Sequence, residues 1–125
     1  PLRRQGALTL ADCGGFPWVL APSGSHPRRS FERVAGLTGM ELPRITVETW
    51  SIEMMKALVA EAGFLSWLPH SVFGQEERAG LIADLEVAGM TVKFKMHLYR
   101  RKSGVVPPAV RQFIRHVREL PEARY

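Results

Sequence analysis

Thr49, Trp50 and Ser51 follow one another where a run of alternating apolar residues gives way to helical spacing. Their types suit binding chemistry. Two hydroxyls stand beside the first N–H groups of a helix, which have no partner inside the helix and lie at the positive end of its dipole. Small anions bind at such places. Thr49 is the first candidate for a hydroxyl that contacts a ligand, Trp50 offers a stacking surface, and Ser51 completes the turn. The loop Pro22-Ser23-Gly24-Ser25 repeats the theme before another helical stretch, with Ser23, Gly24 and Ser25 as the second candidate set. Plainer uses exist for all of them. Ser51 as a helix cap contributes about 1 kcal/mol, Trp50 can pack on a neighbour, and serine-glycine loops are common turn material.

Other chemistry finds little support. His26, His70, His97 and His116 fall on different elements without metal-ligand spacing, and the one cysteine, Cys13, excludes an internal disulfide or a cysteine-held metal. Lone thiols of this kind are mostly small buried side chains, and they favour a reducing compartment. Nucleophile-elbow, phosphate-loop and dinucleotide patterns are missing and the carboxylates do not cluster, so neither catalysis nor a cofactor is expected. The formal charge is +5. Its densest groups, Arg3-Arg4, Arg28-Arg29 and Arg100-Arg101-Lys102, are spread along the chain and form no basic arm for nucleic acid. With 46% hydrophobic and 23% charged residues the composition is ordinary for a globular domain. The longest apolar runs are far short of a membrane span.

The elements that must carry the candidate residues centre on residues 47–69, which read as strand, turn, helix, glycine stop and strand. Ile45, Val47 and Thr49 alternate with Thr46 and Glu48, and are expected to share one face of a strand over 44–49. Ile52, Met55, Leu58, Val59 and Ala62 recur at helical spacing behind a Ser51 cap, and Gly63 ends the helix. Phe64 to Leu68 suits a buried strand that Pro69 stops. Before this unit come a short turn capped by Thr9, a buried strand over 17–21, and a helix over about 27–37 with Phe31, Val34 and Ala35 inward. After it come a short solvated helix within 70–80, a half-buried strand over 81–87 and a strand over 92–99. A helix from Pro108 to Leu120 closes the series, with Val110, Phe113, Ile114 and Val117 on one face and Arg111, Arg115 and Arg118 opposite. Strands alternating with helices imply an α/β fold, a mostly parallel sheet flanked by helices.

Taken in order, the V-E-T-x-S turn, the L-V-x-x-A-G helix end, the strand closing in L-P, Ala79-Gly80-Leu81 and Pro107-Pro108-Ala109 resemble the C-terminal half of the effector-binding region of LysR-type transcriptional regulators. The resemblance covers nearly the whole chain. It implies a two-lobed sensor of the type 2 periplasmic-binding-protein kind. Residues 1–7 would be an inter-lobe connector, 8–89 the second lobe, and 90–125 a return strand and helix belonging to the first lobe. It also implies a cytoplasmic transcription regulator with a small-molecule effector bound between the lobes, and the helix N-termini expected there make an organic anion the favoured class. DNA would be contacted only through a helix-turn-helix domain absent from this chain, and no membrane is implicated. Pro1 without a preceding methionine or leader accords with a piece of a longer protein. The apolar faces of 92–98 and 110–120 would lack cover in a monomer, so a homo-oligomer is expected. The alternative is a solute-binding protein of a transporter with the same lobes. An upstream helix-turn-helix would mark the regulator and an upstream signal peptide the transporter component.

Overall fold

Trp18, Val19 and Leu20 are apolar on both sides of an extended run, so β1 (Trp18–Leu20) has to be covered on both faces, and all three residues are buried. The computed structural model describes residues 8–92 and 97–119 and divides into two compact units after Val92. The expected connector at 1–7 lies outside the described residues.

In the first unit β1 pairs in parallel with β2 (Ile45–Glu48). On its other side it meets Leu65 through a single parallel bridge. The order β2, β1, Leu65 places the first strand between the second and the third. Each connection is a helix. α1 (His26–Leu37) joins β1 to β2, and α2 (Ile52–Ala62) joins β2 to Leu65. Trp18 and Leu20 pack with Phe31, Val34 and Ala35 of α1 in one cluster, while Val19 and Ala21 pack with Met55 of α2 in another. Strand alternation therefore sorts the two helices to opposite faces of β1.

The register slips between Trp18, opposite Ile45, and Val19, opposite Val47, leaving Thr46 as an extra residue in β2. This bulge corrects the expectation that Ile45 and Val47 share a face. Ile45 joins the α1 cluster and Val47 the α2 cluster, because one unpaired residue rotates the strand by half an alternation. The expected strand over 64–68 shrinks to its bridge. Leu65 donates to the Pro17 carbonyl at 2.8 Å and accepts from the Val19 N–H at 2.9 Å, after which the Ser66 hydroxyl, not a backbone N–H, donates to the Val19 carbonyl at 2.9 Å.

The expected strand over 81–87 does not form. Its half-buried residues Leu85 and Val87 do pack on the α1 cluster, yet Glu86 sits in the left-handed region at φ 49 and its N–H bonds the Asp84 carboxylate at 2.9 Å. A side-chain turn of this kind replaces a ladder. Its backbone bonds are turns rather than a ladder: the Leu81 N–H reaches the Glu76 carbonyl at 2.9 Å, the Met90 N–H the Val87 carbonyl at 3.1 Å, and just beyond the segment the Ala88 N–H the Leu8 carbonyl at 2.8 Å. The turn before β1 also differs from expectation. It covers Ala11–Cys13 and starts from Leu10 without a side-chain cap. The Asp12 carboxylate instead accepts from the Thr9 N–H and hydroxyl at 2.8 and 2.6 Å.

α3 (His70–Arg78) forms as expected but is not purely solvated, since Phe73 and Gly74 are buried. Lys56 of α2 reaches it, with Nζ 2.7 Å from Glu76 and 2.9 Å from Glu53. These carboxylates, Glu76 foremost, hold the Lys56 ammonium pKa above its ordinary range. In the second unit α4 (Pro108–Glu119) takes the expected helix, with Val110, Phe113 and Val117 exposed. Of the expected strand at 92–99, residues 93–96 lie outside the described residues, and 97–99 carry no strand pairing.

Gly63 ends α2 at φ 69, while Gly36 lies within the last turn of α1, and an added Cβ would meet nothing within 4 Å at either. The same substitution should therefore act with opposite sign. Gly63→Ala is expected to cost about 1 kcal/mol through left-handed strain, and Gly36→Ala to stabilise by roughly 0.5–1 kcal/mol through a stiffer unfolded chain. Urea titration of both variants measures the pair.

Candidate functional site

The carboxyl ends of parallel strands are where α/β sheets bind ligands, above all where successive connections leave to opposite sides. β1 occupies that position here, and both candidate loops issue from the same edge of the sheet. Ser25 ends the loop after β1, its hydroxyl accepting the Arg28 N–H at 3.2 Å. Gly24 turns the loop at φ 76, and its carbonyl accepts from the Arg29 guanidinium.

The turn after β2 is built from two nested hydroxyl bonds. Thr49 is held by its N–H on the Leu20 carbonyl at 3.0 Å, and its own hydroxyl oxygen accepts the Ser51 N–H at 3.1 Å. The Ser51 hydroxyl then accepts the Met54 N–H at 3.2 Å, capping α2 with Glu53 in its first turn. The capping reading of Ser51 thus holds at the level of geometry. Thr49 keeps a hydroxyl proton that can be donated outward. Trp50 is 68% exposed, so its ring is not used in packing the core.

What brings the two loops together is a residue that sequence reasoning passed over. Glu48, the last residue of β2, accepts the Ser23 N–H on Oε2 at 3.1 Å and the Arg28 guanidinium on Oε1 at 2.8 Å. The Ser23 N–H, followed by Arg28, holds the Glu48 carboxyl below the usual carboxylate range. Arg28 in turn lies 2.9 Å from Glu32 one turn along α1, a charge contact rather than an aligned hydrogen bond. The available signal was the glutamate of V-E-T itself, which alternation alone marks as a solvated outward position.

Elsewhere the chemistry is structural. Cys13 is fully buried, and burial, with Asp12 beside it, raises its thiol pKa. His70 lies 2.9 Å from Glu77 and edge-on to Phe73. Among the described residues no group of histidine, cysteine and carboxylate side chains is arranged to hold a metal, and no helix is long and apolar enough to cross a membrane.

A family model described as the LysR substrate binding domain matches residues 1–121. Over 66 residues the chain is 35% identical to the HTH-type transcriptional regulator GbpR of Rhizobium radiobacter, a match covering 53% of this chain and 22% of that protein. The chain thus aligns with well under two thirds of that relative's length. No solved structure matches it.

Proposed function

The chain belongs to the LysR substrate-binding domain family, and from that premise we propose that it is the effector-sensing part of a cytoplasmic transcription regulator. Residues 8–89 serve as the second lobe, residues 1–7 as the connector, and 90–125 as the strand and helix that return to the first lobe. A small molecule, with organic anions favoured, lies between the lobes and changes how a homo-oligomer holds DNA through a helix-turn-helix domain outside this chain. The role is sensing rather than turnover.

The observation that carries the site assignment is the placement of two hydroxyl-bearing loops at one carboxyl edge. Thr49 and Ser51 stand at the start of α2, Ser23 and Ser25 before α1, and Trp50 is exposed beside them. Thr49 donates to the effector, Trp50 stacks on it, and the start of α2 suits negative charge.

Titration calorimetry on the full-length regulator tests this with benzoate, succinate and citrate against neutral sugars and amines. Thr49→Val should weaken effector binding about three- to tenfold, the worth of one hydrogen bond. Thr49→Ser should restore it. Equal affinity for wild type and Thr49→Val removes Thr49 from the site, and tighter binding of sugars or amines than of every carboxylate removes the anion preference.

A further inference from the structure

Glu48 ends β2 in register with Leu20, so its side chain stands alongside the chain leaving β1. From there it reaches Ser23 at 3.1 Å with one oxygen and Arg28 at 2.8 Å with the other. Arg28 also gives its backbone N–H to Ser25. One end of the 22–25 loop is therefore held by Glu48 and the other by the cap of α1, with Arg28 common to both.

The two partners differ in freedom. The Arg28 side chain is 12% exposed and rests against Glu32, whereas that of Glu48 is 41% exposed. The guanidinium is preset on the helix, and the carboxylate closes onto it from the strand. A half-exposed pair of this kind adds little to global stability. Its consequence is local, because it fixes a loop whose own residues supply few anchors.

We propose that Glu48 is a positioning residue that straps the Ser23–Ser25 loop to the Thr49–Ser51 turn, making one wall of the effector site from two separate loops. The assignment rests on the functional reading above, while the strap itself is testable without an effector. The charged groups facing Glu48 are Arg28 and, through it, Glu32, while Arg29 turns to the Gly24 carbonyl. Because the folded carboxyl titrates below its ordinary range, the strap is closed at neutral pH. It opens only as the pH falls through that lowered value.

Amide NMR on the chain reads this directly. The Ser23 N–H resonance should titrate with a midpoint below the ordinary glutamate range. In Glu48→Gln that titration should vanish and amide exchange at Ser23 and Ser25 should speed up about tenfold. The Thr49 amide, bonded to Leu20, should keep its protection, which shows that the variant is folded. In the full-length regulator Glu48→Gln should weaken succinate, benzoate or citrate binding about three- to tenfold, and Glu61→Gln, exposed near the far end of α2, should leave it unchanged. A Ser23 amide blind to the carboxylate, or loop exchange unchanged in Glu48→Gln, overturns the strap. A loosened loop with wild-type affinity overturns its positioning role. A wild-type regulator that binds no small molecule overturns the functional reading instead, with the Ser23 titration still reporting whether the strap exists.

Discussion

Phe31→Ala is expected to lower the unfolding free energy by about 3–5 kcal/mol, the range for emptying a large aromatic site in a core. The ring is 1% exposed and lies 5.4 Å from Trp18 and 6.0 Å from Trp67. Those two indoles are fixed at their far ends, Trp18 Nε1 on the Cys13 carbonyl at 3.1 Å and Trp67 Nε1 on the Met90 carbonyl at 3.0 Å. Neither can move in to fill the space without losing a sheltered hydrogen bond, so the cavity persists. A domain of this size holds roughly 5–15 kcal/mol in total, and the variant therefore approaches the edge of folding. Urea unfolding followed by tryptophan fluorescence measures the effect as a lower midpoint at an unchanged slope. A loss under about 1 kcal/mol would mean that the indoles do collapse and that the hydrogen bonds to Cys13 and Met90 hold them loosely.

Met55→Ala should cost about 2–3 kcal/mol, the low end for such a truncation. Met55 is the one buried residue of α2 and packs on Val19 and Ala21. Around it Leu58, Val59 and Phe64 are only partly buried and can close part of the gap. The loss should be concentrated in α2, whose hold on the sheet centres on this contact, since the Lys56 pair with Glu76 ties it to α3 instead. Amide exchange should show α2 and the 49–51 turn opening well before α1. Uniform loss of protection across both helices would show instead that the two faces of β1 unfold as one unit.

These variants probe the two faces of one strand, and that division was readable in advance only in part. Alternating burial of Trp18 and Leu20 against Val19 and Ala21 follows from strand geometry. The start of α2 at Ser51 and its end at Gly63 were legible because capping is local chemistry, and the observed bonds and the left-handed φ at Gly63 agree with it. The helices over 27–37 and 108–120 were legible from periodicity, and the one within 70–80 from its charged residues, although its burial of Phe73 and Gly74 was not.

The misreadings share a different cause. Leu81 to Val87 alternates well enough for a strand, but a strand also needs a partner edge, and the Asp84–Glu86 turn takes the backbone out of extended geometry. Phe64 to Leu68 has the composition of a strand, and the Ser66 hydroxyl claims the carbonyl that a longer ladder would use. Ile45 and Val47 alternate perfectly in sequence yet fall to opposite faces because of a bulge set by pairing with β1.

The helices, the Ser51 and Gly63 ends of α2, the apolar strand that must be covered on both sides, the α/β class and the residues of both candidate loops were legible from local sequence. Each depends on groups within a few positions of one another, where propensity, periodicity and capping act. Tertiary structure alone decided the β2, β1, Leu65 order, the bulge at Thr46, and the meeting of Ser23 with Glu48 across 25 positions. Such contacts depend on which strands lie side by side, and no local preference of the chain encodes that.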